Sequence, residues 1–144
     1  MVQFTDLVGC TAISEALDAE DVREIVMQYQ RMADEVIKES GGHIAQFLGD
    51  GILTYFGFPV AHEDAAVCSC HAALGILAGL DQLNADLRAN GVVPPTPVTV
   101  RLGIHAGSVV IGEMGGGNCT ETVRALRLLL PPSASASPSA STCC

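Results

Sequence analysis

One acidic residue lies where a strand meets a loop and the start of a helix, an arrangement suited to binding a metal–triphosphate. A short apolar strand at residues 2–4 runs into Asp6, and Gly9 and then Thr11 follow, where a helix can begin. The carboxylate offers oxygen ligands to a cation, and the free N–H groups of the loop offer donors to phosphates. The alternative is a plain strand and turn, with a solvated Asp6 and with Thr11 as a helix cap. Short motifs recur by chance, so this segment alone favours the alternative.

A second acidic residue, Asp50, lies between two apolar stretches at residues 43–47 and 52–58. An Asp-Gly pair flanked by apolar runs is the strongest short-range signal for a β-hairpin, so we expect two antiparallel strands with Asp50 in the turn. Asp-Gly is also common in hairpins for backbone reasons alone. If the first strand lies beside this hairpin, Asp6 and Asp50 can converge on a shared metal.

Length and composition limit the classes of protein to consider. The chain has 144 residues, of which 49 % are hydrophobic, and this predicts one domain with an aliphatic core. The chain has seven scattered basic residues and 16 acidic ones, which give a net charge of −9. This charge argues against nucleic-acid binding, and it favours cations as the link between the acidic protein and any anionic phosphate. We find no signal peptide and no apolar run long enough for a membrane, so we expect a cytoplasmic protein without membrane contact. Six cysteines without disulfide or zinc spacing predict buried, reduced thiols.

Hydrophobic periodicity and turn residues predict three helices and two further strands. The helices are expected at residues 11–17, 19–40 and 63–90, and the strands at 98–104 and 108–112. Asp18 is expected to cap the second helix. Gly75 and Gly79 lie on one face of the third helix, where they could allow a close approach to the sheet. The order of elements predicts an α+β fold, with an antiparallel-rich sheet and helices on one face.

The chain changes character near Asn118. Residues 1–118 form the predicted domain, and residues 119–144 form a divergent tail that ends in a run rich in Pro, Ser and Ala. Such low-complexity composition cannot build a core, so we expect the tail to be disordered. The abrupt change motivates the hypothesis of a shifted reading frame or an alternatively spliced end, which the downstream genomic DNA would test.

Three segments in order resemble the catalytic domain of class III nucleotidyl cyclases, of the bacterial, soluble type. They read FTDLVGCTAISE at 4–15, GGHIAQFLGDGILTYFG at 41–57 and RLGIHAG at 101–107, and HEDAA at 62–66 opens the intervening helix as in that family. The resemblance covers residues 2–118 with the spacings intact. Three motifs in order are more specific than one, so the resemblance favours the functional interpretation of Asp6 and Asp50. It implies the family's ferredoxin-like palm, incomplete at its C-terminal end.

The resemblance implies an enzyme that converts ATP, or with less support GTP, to the 3′,5′-cyclic nucleotide and pyrophosphate by two-metal catalysis. Asp6, Asp50 and the backbone carbonyl of Leu7 would bind two Mg²⁺ or Mn²⁺ ions. The phosphates would be bound by the loop amides of Val8, Gly9, Cys10 and Thr11. Sites of this family form between two domains, so the resemblance also implies a homodimer or a heterodimer with another cyclase domain.

Two departures from the family pattern bear on function. Gln46 stands where the family has an adenine-reading lysine, so it is either a base contact or an exposed strand residue. The family's later helix, with an Asn and an Arg for ribose and transition-state charge, is not found, because Arg124 and Arg127 lack the preceding Asn. Loss of one such charge contact can cost about 10²–10³ in rate. The alternative function is therefore a non-catalytic cyclase-like module, regulatory or for dimerisation.

Overall fold

The computed structural model describes residues 1–107, which combine one antiparallel sheet with helices. In chain order the elements are β1 (Val2–Leu7), α1 (Cys10–Ala16), α2 (Ala19–Glu39), β2 (His43–Leu48), β3 (Gly51–Tyr55), α3 (Ala65–Ala89) and β4 (Val100–His105). The strand expected at 108–112 and the tail at 119–144 lie outside the described residues.

Within residues 1–107 the sheet has four strands in the order β2-β3-β1-β4, and every neighbouring pair is antiparallel. β1 is central and pairs with β3, so the first strand lies beside the hairpin, as the shared-metal hypothesis requires. A helical crossover between β1 and β2 and another between β3 and β4 give the ferredoxin-like βαββαβ arrangement. The predicted α+β class is confirmed.

Alternation along β1 decides which of its side chains meet the helices. Leu7 belongs to the buried core that α2 and α3 share. Gln3, on the same side of the strand, accepts a 3.4 Å hydrogen bond from Ser69 Oγ of α3. Because side chains alternate along a strand, Phe4 and Asp6 lie on the opposite face of the sheet, away from α2 and α3. The predicted packing of α2 and α3 on one face is confirmed.

The two long helices are held against the sheet by periodic buried side chains. In α2 these recur every four residues, at Ile25, Tyr29, Ala33 and Ile37. In α3 they are Ser69, Ala72, Ala73, Ile76, Leu80, Leu83 and Leu87. Full burial of one large aliphatic side chain contributes about 1.5–3 kcal/mol. Packing of these faces, more than helix propensity, therefore stabilises both helices.

Gly75 and Gly79 of α3 allow a close approach, but to α2 and not to the sheet, so that part of the prediction is wrong. A Cβ added at Gly75 would lie 2.7 Å from Val36 Cγ1, and one added at Gly79 would lie 2.8 Å from Met32 Sδ. Both of these neighbours belong to α2. The glycines let the two helices pack closely at a propensity cost of about 1 kcal/mol each.

The C-terminal ends of β1 and β3 differ from the expected ones. β1 extends through Leu7, so Asp6 lies inside the strand and not beyond its end. The difference arises because β4 pairs with the whole of β1 and continues the hydrogen-bond ladder. β3 ends at Tyr55 and not at residue 58, because the backbone turns at Gly57, where φ is 77°.

The side chain of Asn84 joins α3 to the segment that enters β4. Its Oδ1 accepts a 2.7 Å hydrogen bond from the Val98 N–H, and its Nδ2 donates to the Val98 carbonyl at 3.0 Å. The amide thus pairs with Val98 as a neighbouring strand would, and β4 begins only at Val100, two residues later than expected. The next carbonyl, of Thr99, accepts a 2.9 Å bond from the Val8 N–H, which connects this segment to the loop after β1.

α3 departs from two further expectations. Among residues 1–107 it is the one helix long and apolar enough to cross a membrane by length and composition, although no unbroken apolar run marks it in the sequence. Core helices of globular domains share that composition, and one side of α3 is buried against α2 and the sheet.

The cysteines of α3 are both free, with Cys68 half-buried and Cys70 exposed, so the expected burial of reduced thiols is wrong for Cys70.

Candidate active site

The antiparallel register brings the two predicted carboxylates to the same end of the sheet. β1 and β3 pair Thr5 with Ile52. Asp6 follows this last pair by one residue in β1, and Asp50 precedes it by two residues, just before the start of β3. Directly opposed residues of an antiparallel pair have Cα atoms about 4.5–5.5 Å apart. The backbone segments that carry the two aspartates, distant in sequence, are therefore neighbours.

Asp50 lies in the turn of the β2–β3 hairpin, as predicted. Leu48 pairs with Gly51, which leaves Gly49 and Asp50 as a two-residue turn. Gly49 has a φ of 66°, a conformation that glycine adopts without strain. Gln30 Nε2 of α2 donates a 3.0 Å hydrogen bond to the Gly49 carbonyl. The turn is thus anchored to α2, which fixes the position of the half-buried Asp50.

Asp6 forms an ion pair with Arg101 of β4, its direct register partner. Arg101 Nη2 donates to Asp6 Oδ2 at 3.2 Å, and the two side chains are 73 % and 26 % exposed. Solvent screens a pair of this kind, so it contributes no more than about 1 kcal/mol. It can open at little cost, which would free the carboxylate for a cation and the guanidinium for an anion. The sequence predicts no role for Arg101, and its place in the third motif is the one signal that points to it.

The predicted phosphate loop lies directly after β1, but its details differ from the expectation. Gly9, with a φ of 75°, is the helix cap and α1 begins at Cys10, one residue earlier than expected; Thr11 is helical as expected and is not the cap of the alternative interpretation. The Val8 N–H already donates to Thr99 and is not available to a phosphate in this structure. Thr11 is exposed, and first-turn N–H groups of a helix have no intrahelical acceptor.

Gln46 lies on the face of the sheet that carries Asp6, opposite to α2 and α3. It pairs with Leu53, which in turn pairs with Phe4 of β1. Paired residues share a face of the sheet, and Phe4 shares its face with Asp6 by alternation. The register shifts between Ile44 and Gln46, an irregularity that reorients the strand locally. Gln46 is half-buried and not an exposed strand residue, and its contact with a base stays a prediction.

Tyr29 of α2 belongs to the apolar residues at helical spacing, and the sequence predicts no other role for it. Its side chain is 0 % exposed, and its hydroxyl has no hydrogen-bond partner among residues 1–107. Burial, followed by the negative charges of Asp6 and Asp50, raises the pKa of Tyr29 above its ordinary value of 10.0. Tyr29 packs in the core cluster that also contains Leu7 and Ile52. In the sequence, the hydroxyl of Tyr29 stands out as a polar group on the otherwise apolar face of α2.

The raised pKa of Tyr29 predicts a loss of stability at alkaline pH. Below pH ~10 the phenol is neutral in both states and its contribution to stability is complete. Between the unfolded pKa and the higher folded pKa only the unfolded chain loses the proton, so the free energy of unfolding falls by about 1.4 kcal/mol per pH unit. Urea unfolding in EDTA at pH ~9 to ~11 should show this added slope in the wild type and not in Tyr29→Phe. Equal slopes in the two proteins would contradict the placement of Tyr29.

The donor set at this end of the sheet fits a hard divalent cation. Carboxylate and carbonyl oxygens are the ligands that Mg²⁺ and Mn²⁺ prefer. The part of the chain that the structure describes contains no group of three or more His, Cys, Asp or Glu side chains that could hold a metal ion. Asp6 and Asp50 would therefore be completed by the Leu7 carbonyl, water and phosphate oxygens. Mg²⁺ is commonly bound in this way, through one or two carboxylates and its substrate.

A ferredoxin-like sheet with two aspartates at one end defines a palm-type α+β domain. Comparison with known proteins gives the family. Residues 1–119 match the family model described as the adenylate and guanylate cyclase catalytic domain. The chain therefore belongs to the class III nucleotidyl cyclase catalytic domains, as its three motifs predict, with the match covering part of the chain.

Individual relatives agree with this assignment. Adenylate cyclase 1 of Rhizobium meliloti (strain 1021) is 34 % identical over 112 residues, which are 78 % of this chain and 16 % of that protein. The guanylyl cyclase Cya2 is 31 % identical with a TM-score of 0.76, over 85 % of this chain and 61 % of the solved one. The adenylyl cyclase CyaB from P. aeruginosa is 27 % identical with a TM-score of 0.79, over 89 % of this chain and 67 % of the solved one. The chain thus spans a small part of the length of its curated relative.

Proposed function

We propose that this domain converts a nucleoside triphosphate, ATP in preference to GTP, into the 3′,5′-cyclic nucleotide and pyrophosphate. The observation that carries the proposal is the strand register that brings Asp6 and Asp50 to one end of the sheet. Two relatives at 30 % identity or more are described as adenylate cyclases, which favours ATP. A solved guanylyl cyclase at 31 % identity keeps GTP as the alternative.

The acidic pair and Arg101 would act on the triphosphate. Asp6, Asp50 and the Leu7 carbonyl would bind two Mg²⁺ or Mn²⁺ ions, which when bound acidify the ribose 3′-hydroxyl and neutralise developing charge. Arg101, released from Asp6, would bind phosphate oxygens, because its planar fork of N–H donors matches their geometry. Phosphoryl transfer needs mainly such positioning and charge compensation from a protein.

The loop after β1 and Gln46 would bind the remaining parts of the nucleotide. The N–H groups of Gly9 and Cys10, with the N–H and Oγ of Thr11, would donate to phosphates at the start of α1. Gln46 would donate and accept hydrogen bonds at the base edge, since its amide offers both functions. The face of the sheet that Gln46 shares with Asp6 supports this assignment.

We propose a dimer in the cytoplasm as the functional state, either of this chain or with another cyclase domain. The family resemblance supports it, because such sites form between two domains. Sedimentation of the protein with and without Mn–ATP would test it. A protein that stays monomeric at all concentrations while fully active would contradict it.

A non-catalytic module is the second candidate function. The chain covers only 61 % and 67 % of the two solved cyclase chains, and the Asn–Arg helix is not found in its sequence. A turnover assay with Mn–ATP beside a calorimetric titration separates the two. Cyclic nucleotide formation supports the enzyme. Binding without turnover, or pairing with a complete cyclase domain in sedimentation, supports the module, and absence of turnover, binding and pairing contradicts both candidates.

A further inference from the structure

We propose that Gln30 of α2 is a positioning residue for Asp50. Its side-chain amide holds the peptide group between Gly49 and Asp50 in one orientation, and so directs the Asp50 carboxylate toward the cation. Loss of that amide would weaken cation binding in the folded protein. The inference rests on the proposed function, because it needs Asp50 to bind a metal ion.

The hairpin that carries Asp50 lies at the edge of the sheet. Within residues 1–107 the edge strand β2 pairs with β3 and with no other strand. The register of that pairing shifts between Ile44 and Gln46. Close to the turn, Phe47 and Leu48 are 46 % and 42 % exposed. Neither a second neighbouring strand nor close packing therefore fixes the geometry of the turn from the β2 side.

The turn itself can adopt two backbone orientations. Leu48 pairs with Gly51, so Gly49 and Asp50 are its two central residues. Gly49 has a φ of 66°. A positive φ at the first central residue is common to turns of type I′ and type II′, which require opposite signs of φ at the second central residue. The two types thus differ by a flip of the Gly49–Asp50 peptide group, and the Asp50 side chain points in a different direction in each.

Gln30 contacts the peptide group that would flip. Its Nε2 donates a 3.0 Å hydrogen bond to the Gly49 carbonyl. That oxygen and the Cα of Asp50 belong to one planar peptide group. The preceding residue, Tyr29, is buried in the core, which holds this part of α2 in place. A flip would turn the carbonyl away from Gln30, so the hydrogen bond selects one orientation of Asp50.

The size of the effect follows from the population of the binding-competent orientation. The apparent Kd of a ligand rises in inverse proportion to the fraction of the protein that can bind it. Loss of the net contribution of one hydrogen bond changes a population ratio by about 2–10-fold. We expect an effect of that size on cation binding when the Gln30 amide is removed.

The first test measures binding of Mn²⁺ alone to the full chain by calorimetry. Gln30→Met keeps the length of the side chain and removes the donor, and it should raise the Kd about 2–10-fold. Gln28→Met is the matched control, because Gln28 lies on the same helix and donates its 2.7 Å hydrogen bond to Glu24 of α2. It should bind Mn²⁺ as the wild type does. Unchanged affinity in Gln30→Met, or an equal rise in Gln28→Met, would overturn the inference.

Stability separates a positioning role from a merely structural one. Urea unfolding in EDTA measures the free energy of unfolding of both variants without metal. A structural role alone would lower that free energy in Gln30→Met and leave the Mn²⁺ affinity of the folded protein unchanged. A positioning role requires the rise in Kd, whatever the change in stability.

The second test observes the turn directly by NMR in the metal-free protein. The Asp50 amide signal of Gln30→Met should shift or show exchange broadening relative to the wild type, because the adjacent peptide group is no longer held in one orientation. The same signal in Gln28→Met should match the wild type. An Asp50 amide signal in Gln30→Met that is identical to the wild type would contradict the inference even if Mn²⁺ affinity falls.

Variants of the aspartates distinguish failure of this inference from failure of the proposed function. If Asp6→Asn and Asp50→Asn weaken Mn²⁺ binding while Gln30→Met binds normally, only the role of Gln30 is wrong. If neither aspartate variant changes Mn²⁺ affinity, or the wild type binds no Mn²⁺, the proposed metal site is wrong and the role of Gln30 falls with it.

Discussion

The Asp6→Asn and Asp50→Asn variants will each lose at least about 10²–10³-fold of the Mn²⁺-dependent cyclase turnover. Asparagine keeps the shape of the side chain and removes the charge that a hard cation needs. Because both residues lie at one end of the sheet, loss of either one leaves a site with half of its carboxylate charge. Initial rates of cyclic nucleotide formation with Mn–ATP measure the effect. If the chain binds Mn–ATP without turnover, the Kd of Mn–ATP measures it instead.

Asp81→Asn is the matched control for these variants, since Asp81 is exposed on α3 and the chemical change is the same. It should behave as the wild type. The stability of Asp6→Asn in EDTA should change by less than about 1 kcal/mol, because its ion pair with Arg101 is largely exposed. Wild-type turnover and wild-type Mn–ATP affinity in both site variants would reject the metal assignment.

The largest change in stability is expected from Ile76→Ala, which should lower the free energy of unfolding by about 2–5 kcal/mol. Ile76 of α3 is 0 % exposed in the core, so truncation removes buried surface and leaves a cavity. The adjacent Leu77 is 46 % exposed, and Leu77→Ala should change stability by about 0.5 kcal/mol or less. Urea unfolding measures both proteins.

The comparison of Ile76→Ala with Leu77→Ala also tests the orientation of α3. Two adjacent aliphatic residues are chemically almost equal, so only their burial distinguishes them. Similar losses in the two variants would mean that α3 does not present to the core the face described above. A larger loss in Leu77→Ala would show that its surface is covered in solution.

Local features of the site could be predicted because short-range physics determines them. Asp50 was placed in a hairpin turn from an Asp-Gly pair between two apolar runs, and the β2–β3 pairing confirms it. The buried stripe of α2 follows from apolar residues at every fourth position. The start of α1 was less accurate, since both Gly9 and Thr11 are plausible caps and the backbone selects Gly9.

Features that depend on which strands pair could not be read from the sequence. The ion pair between Asp6 and Arg101 joins residues 95 positions apart, and it exists because β4 pairs with β1 in one particular register. A shift of that register by one residue would turn Arg101 to the other face. The same reason explains why Gly75 and Gly79 were assigned to the wrong neighbour, since only packing shows that α2 lies against them.

The sequence by itself determined the family, the order of the helices and strands, and the two aspartates as candidate ligands, because motifs and periodicity are properties of neighbouring residues. The tertiary structure alone decided that these aspartates share one end of the sheet, that Arg101 pairs with Asp6, and that Tyr29 packs in the core with Leu7 and Ile52. Those relations are set by strand register and helix packing between distant segments. Such contacts depend on the free energy of the whole fold, which no local pattern encodes.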